Sequence, residues 1–167
     1  MSKEYTSKKT SVNFRKIPKL FSVVAKKIGW EAHTYNLDIG CGARPSNVTL
    51  FLKKYGVTNL PTDPFWGYSF EDLELQESMR ITTVTISNVL NVIKTKCSRR
   101  HALHSAKSYL SRGGTCYIKI YEGDMCGIGR ETMEDCWQNN LLTSDYVDEV
   151  KKHFDEVQIK YGIIIAS

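Results

Sequence analysis

Hydrophobic and polar positions recur along this chain with two periods, and the switches between them divide it into elements. After Pro18, the residues Leu20, Phe21, Val24 and Ile28 repeat at three- and four-residue spacing, which predicts a helix opened by the proline and stopped near Gly29. A strand-like run follows over 34–39 and ends at the turn Gly40-Cys41-Gly42. A second helical stripe runs from Pro45 through Val48, Phe51 and Leu52 to Tyr55, where Gly56 stops it, and 57–60 reads as a short strand before the turn Pro61-Thr62-Asp63-Pro64. Residues 69–79 predict a short acidic helix with Ser69 as its N-cap. The clearest strand is 81–86, β-branched at every position.

Over 98–110, Ala102, Leu103, Ala106 and Leu110 mark the inward face of another helix, closed by Gly113-Gly114, and 115–121 is again strand-like. About 20 residues with several glycines, 122–142, then interrupt the pattern, long enough to suggest a functional loop. Thr143 or Ser144 caps a last helix carrying Tyr146, Val147, Val150 and Phe154. Two short strands, 157–159 and 163–165, close the chain around Tyr161-Gly162.

Strands separated by helices predict an α/β fold with a mostly parallel sheet and helices on both faces. The final pair must be antiparallel, because a parallel return needs a crossover of about a dozen residues or more. The 167 residues fit one domain, placed at 17–167, with 1–16 as a leader. A 41% hydrophobic and 25% charged composition excludes disorder over the whole chain.

Charge sharpens the division. The net +5 is uneven: residues 1–30 sum to +7 and residues 31–167 to −2. A basic leader of this kind suits either a nucleic-acid or membrane-surface contact or a solvated arm. No apolar h-region opens the chain, and no apolar run approaches the ~20 residues of a membrane span, so neither secretion nor a membrane is expected. Five cysteines without Cys-x-x-Cys spacing argue against a disulfide framework or a zinc site and for a reducing cytoplasm. His101 and His104 share a helix face with no Cys or Asp beside them in sequence, so no metal is expected.

The block Leu37-Asp38-Ile39-Gly40-Cys41-Gly42 falls where a strand becomes a loop ahead of a helix, the place where doubly wound folds bind ligands. Glycines there permit positive φ and close backbone approach to a ligand. The dinucleotide fingerprint is not completed, since its third glycine position is Pro45. A plainer account makes Gly40 and Gly42 a structural turn and Asp63 a Thr-Asp-Pro turn former.

The block resembles motif I of the class I S-adenosylmethionine-dependent methyltransferases. The resemblance implies a Rossmann-like fold in which Asp38, Gly40, Cys41 and Gly42 bind S-adenosylmethionine, with Asp38 ordering the loop and the ligand amine. It also implies that Asp63, 25 residues after Asp38, ends the second strand and accepts hydrogen bonds from the ribose hydroxyls. The run Thr83-Val84-Thr85-Ile86-Ser87-Asn88-Val89-Leu90-Asn91 matches the fourth strand and motif IV, which brings Ser87 and Asn88 beside the cofactor. Leu110-Ser111-Arg112-Gly113-Gly114 is similar to the string preceding the family's fifth strand. Ser87 to Ile93, with Tyr121-Glu122-Gly123-Asp124, looks closest to small phage-encoded methyltransferases, which would place the protein in a host cytoplasm. It also resembles proteins associated with DNA phosphorothioation.

The chain departs from the family in its middle. About 17 residues separate Asp63 from the strand at Ile81, too few for a helix–strand–helix unit, so the fold is expected to be shortened between the second and fourth strands, with Glu71 and Asp72 as stand-ins for the missing adenine-contacting acid. Motif IV lacks the Asn/Asp-Pro-Pro-aromatic signature of base amino methylation. It also lacks the cysteine of cytosine-C5 chemistry, and no Lys-Asp-Lys-Glu pattern of ribose methylation is present.

In-line displacement from a sulfonium draws on orientation and a dry site, plus a group that takes or shares the acceptor's proton. Asn88 and Asn91 are the candidates to hold a polar acceptor, and Glu122 or Asp124 the candidate base, although each also suits a turn or cap. The loop with Gly123, Gly127, Gly129 and Trp137 is a candidate substrate lid, its tryptophan either stacking on a base or anchoring the loop. The expected function is methyl transfer to an unidentified acceptor, with nucleic acid a candidate partner of the leader. The alternatives are a non-catalytic module keeping the fold and cofactor site, and a cofactor-depleting protein.

Overall fold

The computed structural model describes residues 5–10, 16–71 and 79–167. Six strands form one sheet: β1 (Tyr35–Ile39), β2 (Thr58–Thr62), β3 (Ile81–Ser87), β4 (Thr115–Lys119), β7 (Val157–Lys160) and β8 (Ile163–Ala166), in the order β2-β1-β3-β4-β8-β7. The first four neighbours run parallel, with Leu37 registered on Leu60 and Val84. β8 is antiparallel to β4 and to β7, as the short turn at Tyr161-Gly162 requires. The architecture is thus the expected Rossmann-like mixed sheet.

Strand alternation sends side chains to two helical layers. Leu37, Val84, Ile86, Cys116, Ile118 and Ile164 meet Leu103 and Ala106 of α3 (Lys96–Tyr109) and Val150 of α4 (Val147–Val150). Tyr117 and Ile163 face the other way, onto Leu20, Phe21 and Val24 of α1 (Lys19–Lys27) and Val48 and Leu52 of α2 (Ser46–Lys53). Each such Leu or Phe contributes about 1.5–3 kcal/mol on burial. Arg99 of α3 crosses to α4, with Nη2 at 2.6 Å and Nε at 2.8 Å from the Glu149 carboxylate, and donates to the carbonyls of Ile93 and Lys94.

Several boundaries differ from the sequence expectation. α3 begins at Lys96, because Thr95 is its cap: Oγ1 accepts from the Ser98 amide at 3.1 Å. The last helix opens as a 3-10 turn, Thr143–Tyr146, capped at Leu142, whose amide donates to Asp145 at 2.8 Å, so neither Thr143 nor Ser144 is the cap. The stretch expected to be a loop contains a hairpin, β5 (Arg130–Met133) paired with β6 (Cys136–Gln138). β2 is the outermost strand beside β1, in keeping with the short middle. Of the acidic helix expected over 69–79, residues 72–78, including Asp72, lie outside the described residues, while Ser69 Oγ accepts from the Glu71 amide at 3.0 Å.

Candidate functional site

From β1 the chain passes to β2 on one side and then to β3 on the other. The carboxyl ends of β1 and β3 therefore form a topological switch point, where open α/β sheets bind ligands. A cavity of about 750 Å3 opens there, within the range of about 300–1,000 Å3 usual for small-molecule sites.

The glycine loop forms one wall. Gly40 and Gly42 have φ of 73° and 71°, and a Cβ at Gly40 would lie 2.4 Å from Cγ2 of Val89, so glycine is required where the loop meets the segment after β3. The loop is tied to the end of β2. The amides of Gly40 and Cys41 donate to the Thr62 carbonyl at 2.7 and 3.1 Å, and the Gly42 amide donates to Asp63 Oδ2 at 3.0 Å. Asp63 Oδ1 accepts from the Phe65 amide at 3.1 Å, capping a 3-10 turn, Pro64–Trp66, that carries two half-exposed aromatic rings to the cavity.

Asp38 lies buried at the floor with Oδ1 accepting from the Thr85 hydroxyl at 3.1 Å. Burial pushes its carboxyl up to about 7, and the nearby charge of Asp63 adds to the rise, against hydrogen bonds from Thr85 and Asn59. Burial also raises Asp63, opposed by the backbone donors of Gly42, Phe65 and Trp66, and raises the half-buried Cys41 thiol, so Cys41 stays protonated. Behind Asp38 a ladder of buried polar groups crosses the sheet. Asn36 Nδ2 donates to Asn59 and Thr85 at 2.9 and 3.0 Å, and the Thr83 hydroxyl donates to Asn36 Oδ1 at 2.9 Å.

After β3, Ser87 lines the cavity with a buried hydroxyl that has no hydrogen-bond partner among the described residues. Asn88 takes a left-handed conformation, φ 57°, fixed by its amide donating to the Lys119 carbonyl at 2.8 Å. Asn91 also reaches the wall, but its Nδ2 donates to Gln138 at 3.0 Å and its Oδ1 accepts from the Tyr121 amide at 3.5 Å. Asn139 holds the same segment, donating from Nδ2 to the carbonyls of Leu90 and Ile93, both at 3.0 Å. β6 and the residues after it are thus stitched to the 88–93 segment.

The sequence candidates are divided by this geometry. Asp38, Gly40, Cys41, Gly42, Asp63, Ser87, Asn88 and Asn91 come together around one cavity. Glu122 does not line it: Oε1 accepts from the Thr143 amide at 2.8 Å, which holds the carboxyl below the usual range. Asp124 also lies outside the lining, paired with Arg130 at 2.7 Å. Asp38 and Asp63 are the carboxylates of the lining among the described residues.

Residues 5–9, part of the basic leader and none of them a named candidate, also reach the site. The Ser7 amide donates to the Asp135 carbonyl at 2.9 Å and the Trp137 amide to Ser7 Oγ at 3.2 Å, while Lys9 pairs with Glu134 at 2.9 Å. Tyr5 packs its ring on Trp137 at 5.3 Å. Trp137 itself donates from Nε1 to Asn139 Oδ1 at 2.8 Å, so it anchors the hairpin while its ring lines the cavity. Among the described residues no group of three or more His, Cys, Asp or Glu is arranged to hold a metal. No described helix is long and apolar enough to cross a membrane.

No family model and no curated protein matches the sequence. Solved structures do match the fold. The 1,6-didemethyltoxoflavin-N1-methyltransferase of Burkholderia thailandensis, with bound 1,6-didemethyltoxoflavin and S-adenosylhomocysteine, aligns over 89% of this chain and 75% of its own at a TM-score of 0.61 and 16% identity. The glycopeptide N-methyltransferase MtfA, complexed with S-adenosylhomocysteine, aligns over 89% and 88% at 0.58 and 13% identity. A TehB-like S-adenosylmethionine-dependent methyltransferase from Corynebacterium glutamicum aligns over 90% and 86% at 0.55 and 14% identity. At these identities the likeness establishes the fold alone, a Rossmann-like mixed sheet.

Proposed function

We propose that the protein is an S-adenosylmethionine-dependent methyltransferase whose cofactor occupies the cavity at the carboxyl ends of β1 and β3. The observation that carries this reading is the donor and acceptor set of that cavity. Burial raises the Asp38 carboxyl at the floor, and the Asp63 charge nearby adds to the rise. Asp63 stands at the adjacent strand end, the glycine loop admits close backbone approach, and the Ser87 hydroxyl is without a partner among the described residues. Such a site suits a ligand that brings positive charge and hydroxyl groups.

When bound, S-adenosylmethionine supplies an activated methyl group on a sulfonium. In this reading Gly40, Cys41 and Gly42 pack along the ligand, and Asp38 receives its ammonium group. Asp63 keeps lone pairs for the ribose hydroxyls beyond its bonds to Gly42 and Phe65. Ser87 and Asn88 stand at the methyl end, where the left-handed backbone of Asn88, pinned by its amide's bond to Lys119, positions its side-chain carboxamide for a polar acceptor. Asn91 acts through Gln138, holding the Asn88 segment in place. Glu122 is left out of the proposed machinery.

A second reading, a module that binds cofactor without transferring methyl, is favoured by the lining itself, because its carboxylates Asp38 and Asp63 both belong to the cofactor end. Calorimetry with S-adenosylhomocysteine tests the shared premise. One site per chain is expected, weakened by Asp63→Ala, and no heat at high protein concentration would overturn both readings. Binding without transfer of labelled methyl to any extract would leave only the second.

A further inference from the structure

The geometry points to a small, free-standing aromatic molecule as the methyl acceptor, enclosed beneath residues 5–9 rather than presented by a polymer; this rests on the methyltransferase reading. Residues 5–9 act as a strap across the cavity mouth. Ser7 is bonded to the β5–β6 hairpin through Asp135 and Trp137, while the next residue, Lys8, places its ammonium 5.2 Å from the ring centroid of Trp66. Adjacent residues, Ser7 with φ 51° and Lys8 opening the 3-10 turn Lys8–Thr10, thus touch both walls of the cavity mouth. The Cα atoms of Ser7 and Lys8, as consecutive residues, lie only about 3.8 Å apart. A folded nucleic acid or a protein segment would have to displace this strap to enter.

The charges of the strap support the same conclusion. Lys9 is paired with Glu134, Lys8 lies over Trp66, and Lys94 lies 4.5 Å from the Trp137 centroid and 5.3 Å from that of Tyr5. These cations are engaged with the protein's own carboxylate and ring faces rather than with a phosphate backbone, which a polyanion binder would leave open. On the hairpin side the cavity is lined by the rings of Tyr5 and Trp137 with Met133 and Val92. Flat aromatic walls favour a flat aromatic guest, each ring contact adding about 0.5–1.5 kcal/mol beyond burial.

The test uses N-phenyl-1-naphthylamine, a neutral aromatic probe that brightens in apolar surroundings, titrated into the full chain with saturating S-adenosylhomocysteine. Emission should rise, and Tyr5→Ala should weaken the probe about two- to tenfold. Trp137→Phe, which keeps a ring but loses the bond to Asn139, should weaken it less than Trp137→Ala. No rise, a rise indifferent to Tyr5→Ala, or displacement by S-adenosylhomocysteine would overturn the proposal. So would salt-sensitive binding of a single-stranded oligonucleotide. Failure of S-adenosylhomocysteine to bind by calorimetry would instead sink the methyltransferase reading, and the probe alone, with Tyr5→Ala, would still report on the slot.

Discussion

Replacing Asp38 by asparagine should stabilise the ligand-free protein at alkaline pH while weakening its hold on the cofactor. The Asp38 carboxyl is buried and pushed from 3.8 up to about 7. A folded carboxyl that holds its proton more tightly than the unfolded one adds stability at low pH. That contribution is fully present below about pH 4 and is lost as pH rises through about 7. At about 1.4 kcal/mol per decade of proton affinity, ionising Asp38 in place costs on the order of 4 kcal/mol above pH 7. Asparagine keeps the shape and an oxygen for the Thr85 hydroxyl without the buried charge.

The ligand-free Asp38→Asn protein should therefore melt several degrees above wild type at pH 8 and close to it below about pH 4. The same change removes the proposed charged acceptor for the ligand ammonium. A charge-assisted hydrogen bond is worth about 1.5–3 kcal/mol, so affinity for S-adenosylhomocysteine at pH 8 should fall about ten- to a hundredfold. Melting curves by circular dichroism and calorimetric titrations across pH measure both. A variant less stable than wild type at pH 8, or a difference independent of pH, would refute the reasoning about Asp38.

Two other substitutions probe the scaffold. Gly40→Ala forces a side chain to φ 73° and to within 2.4 Å of Val89, so stability should drop by more than about 1 kcal/mol and cofactor affinity should fall with it, as read by denaturant melts and calorimetry. Relieving the contact with Val89→Ala should recover only part of the loss, since the backbone angle remains. Arg99→Ala leaves Glu149 without its partner, with side-chain exposures of 3% and 14% for the pair. It should cost about 3–5 kcal/mol in urea melts, whereas Arg99→Ala combined with Glu149→Ala should cost less.

The sheet was legible because its central strands announce themselves. β3 is β-branched and buried along nearly its whole length, and β1 ends at a glycine turn that no other element would tolerate. The hairpin was not, because every residue of β5 is exposed and its sequence carries no alternation between buried and exposed positions. The true start of the last helix was hidden for a related reason. Leu142 caps through its backbone amide, and the acceptor, Asp145, lies inside the turn.

Within the site, Asp38, Gly40, Gly42 and Asp63 stood out by residue type and spacing. That the Asp63 carboxylate also serves the Gly42 and Phe65 amides is a fact of tertiary approach. Glu122 looked like a base in sequence, and only the fold brings Thr143, 21 residues later, onto it. The contacts of the leader were hidden for the same reason: Tyr5, Ser7 and Lys9 have no periodicity, and their partners lie on a hairpin more than a hundred residues away. The basic leader, read from charge alone as either a nucleic-acid or membrane-surface contact or a solvated arm, carries in residues 8 and 9 two lysines turned onto the protein itself.

The central claim is a location, the carboxyl ends of β1 and β3, and backbone amide shifts in a nitrogen-labelled sample titrated with S-adenosylhomocysteine test it most directly. The amides of Gly40, Gly42, Asp63, Ser87 and Asn88 should move together and saturate at one ligand per chain, while β7 and β8 at the far edge stay still. Saturable shifts confined to any other face, or none at millimolar ligand, would contradict the account.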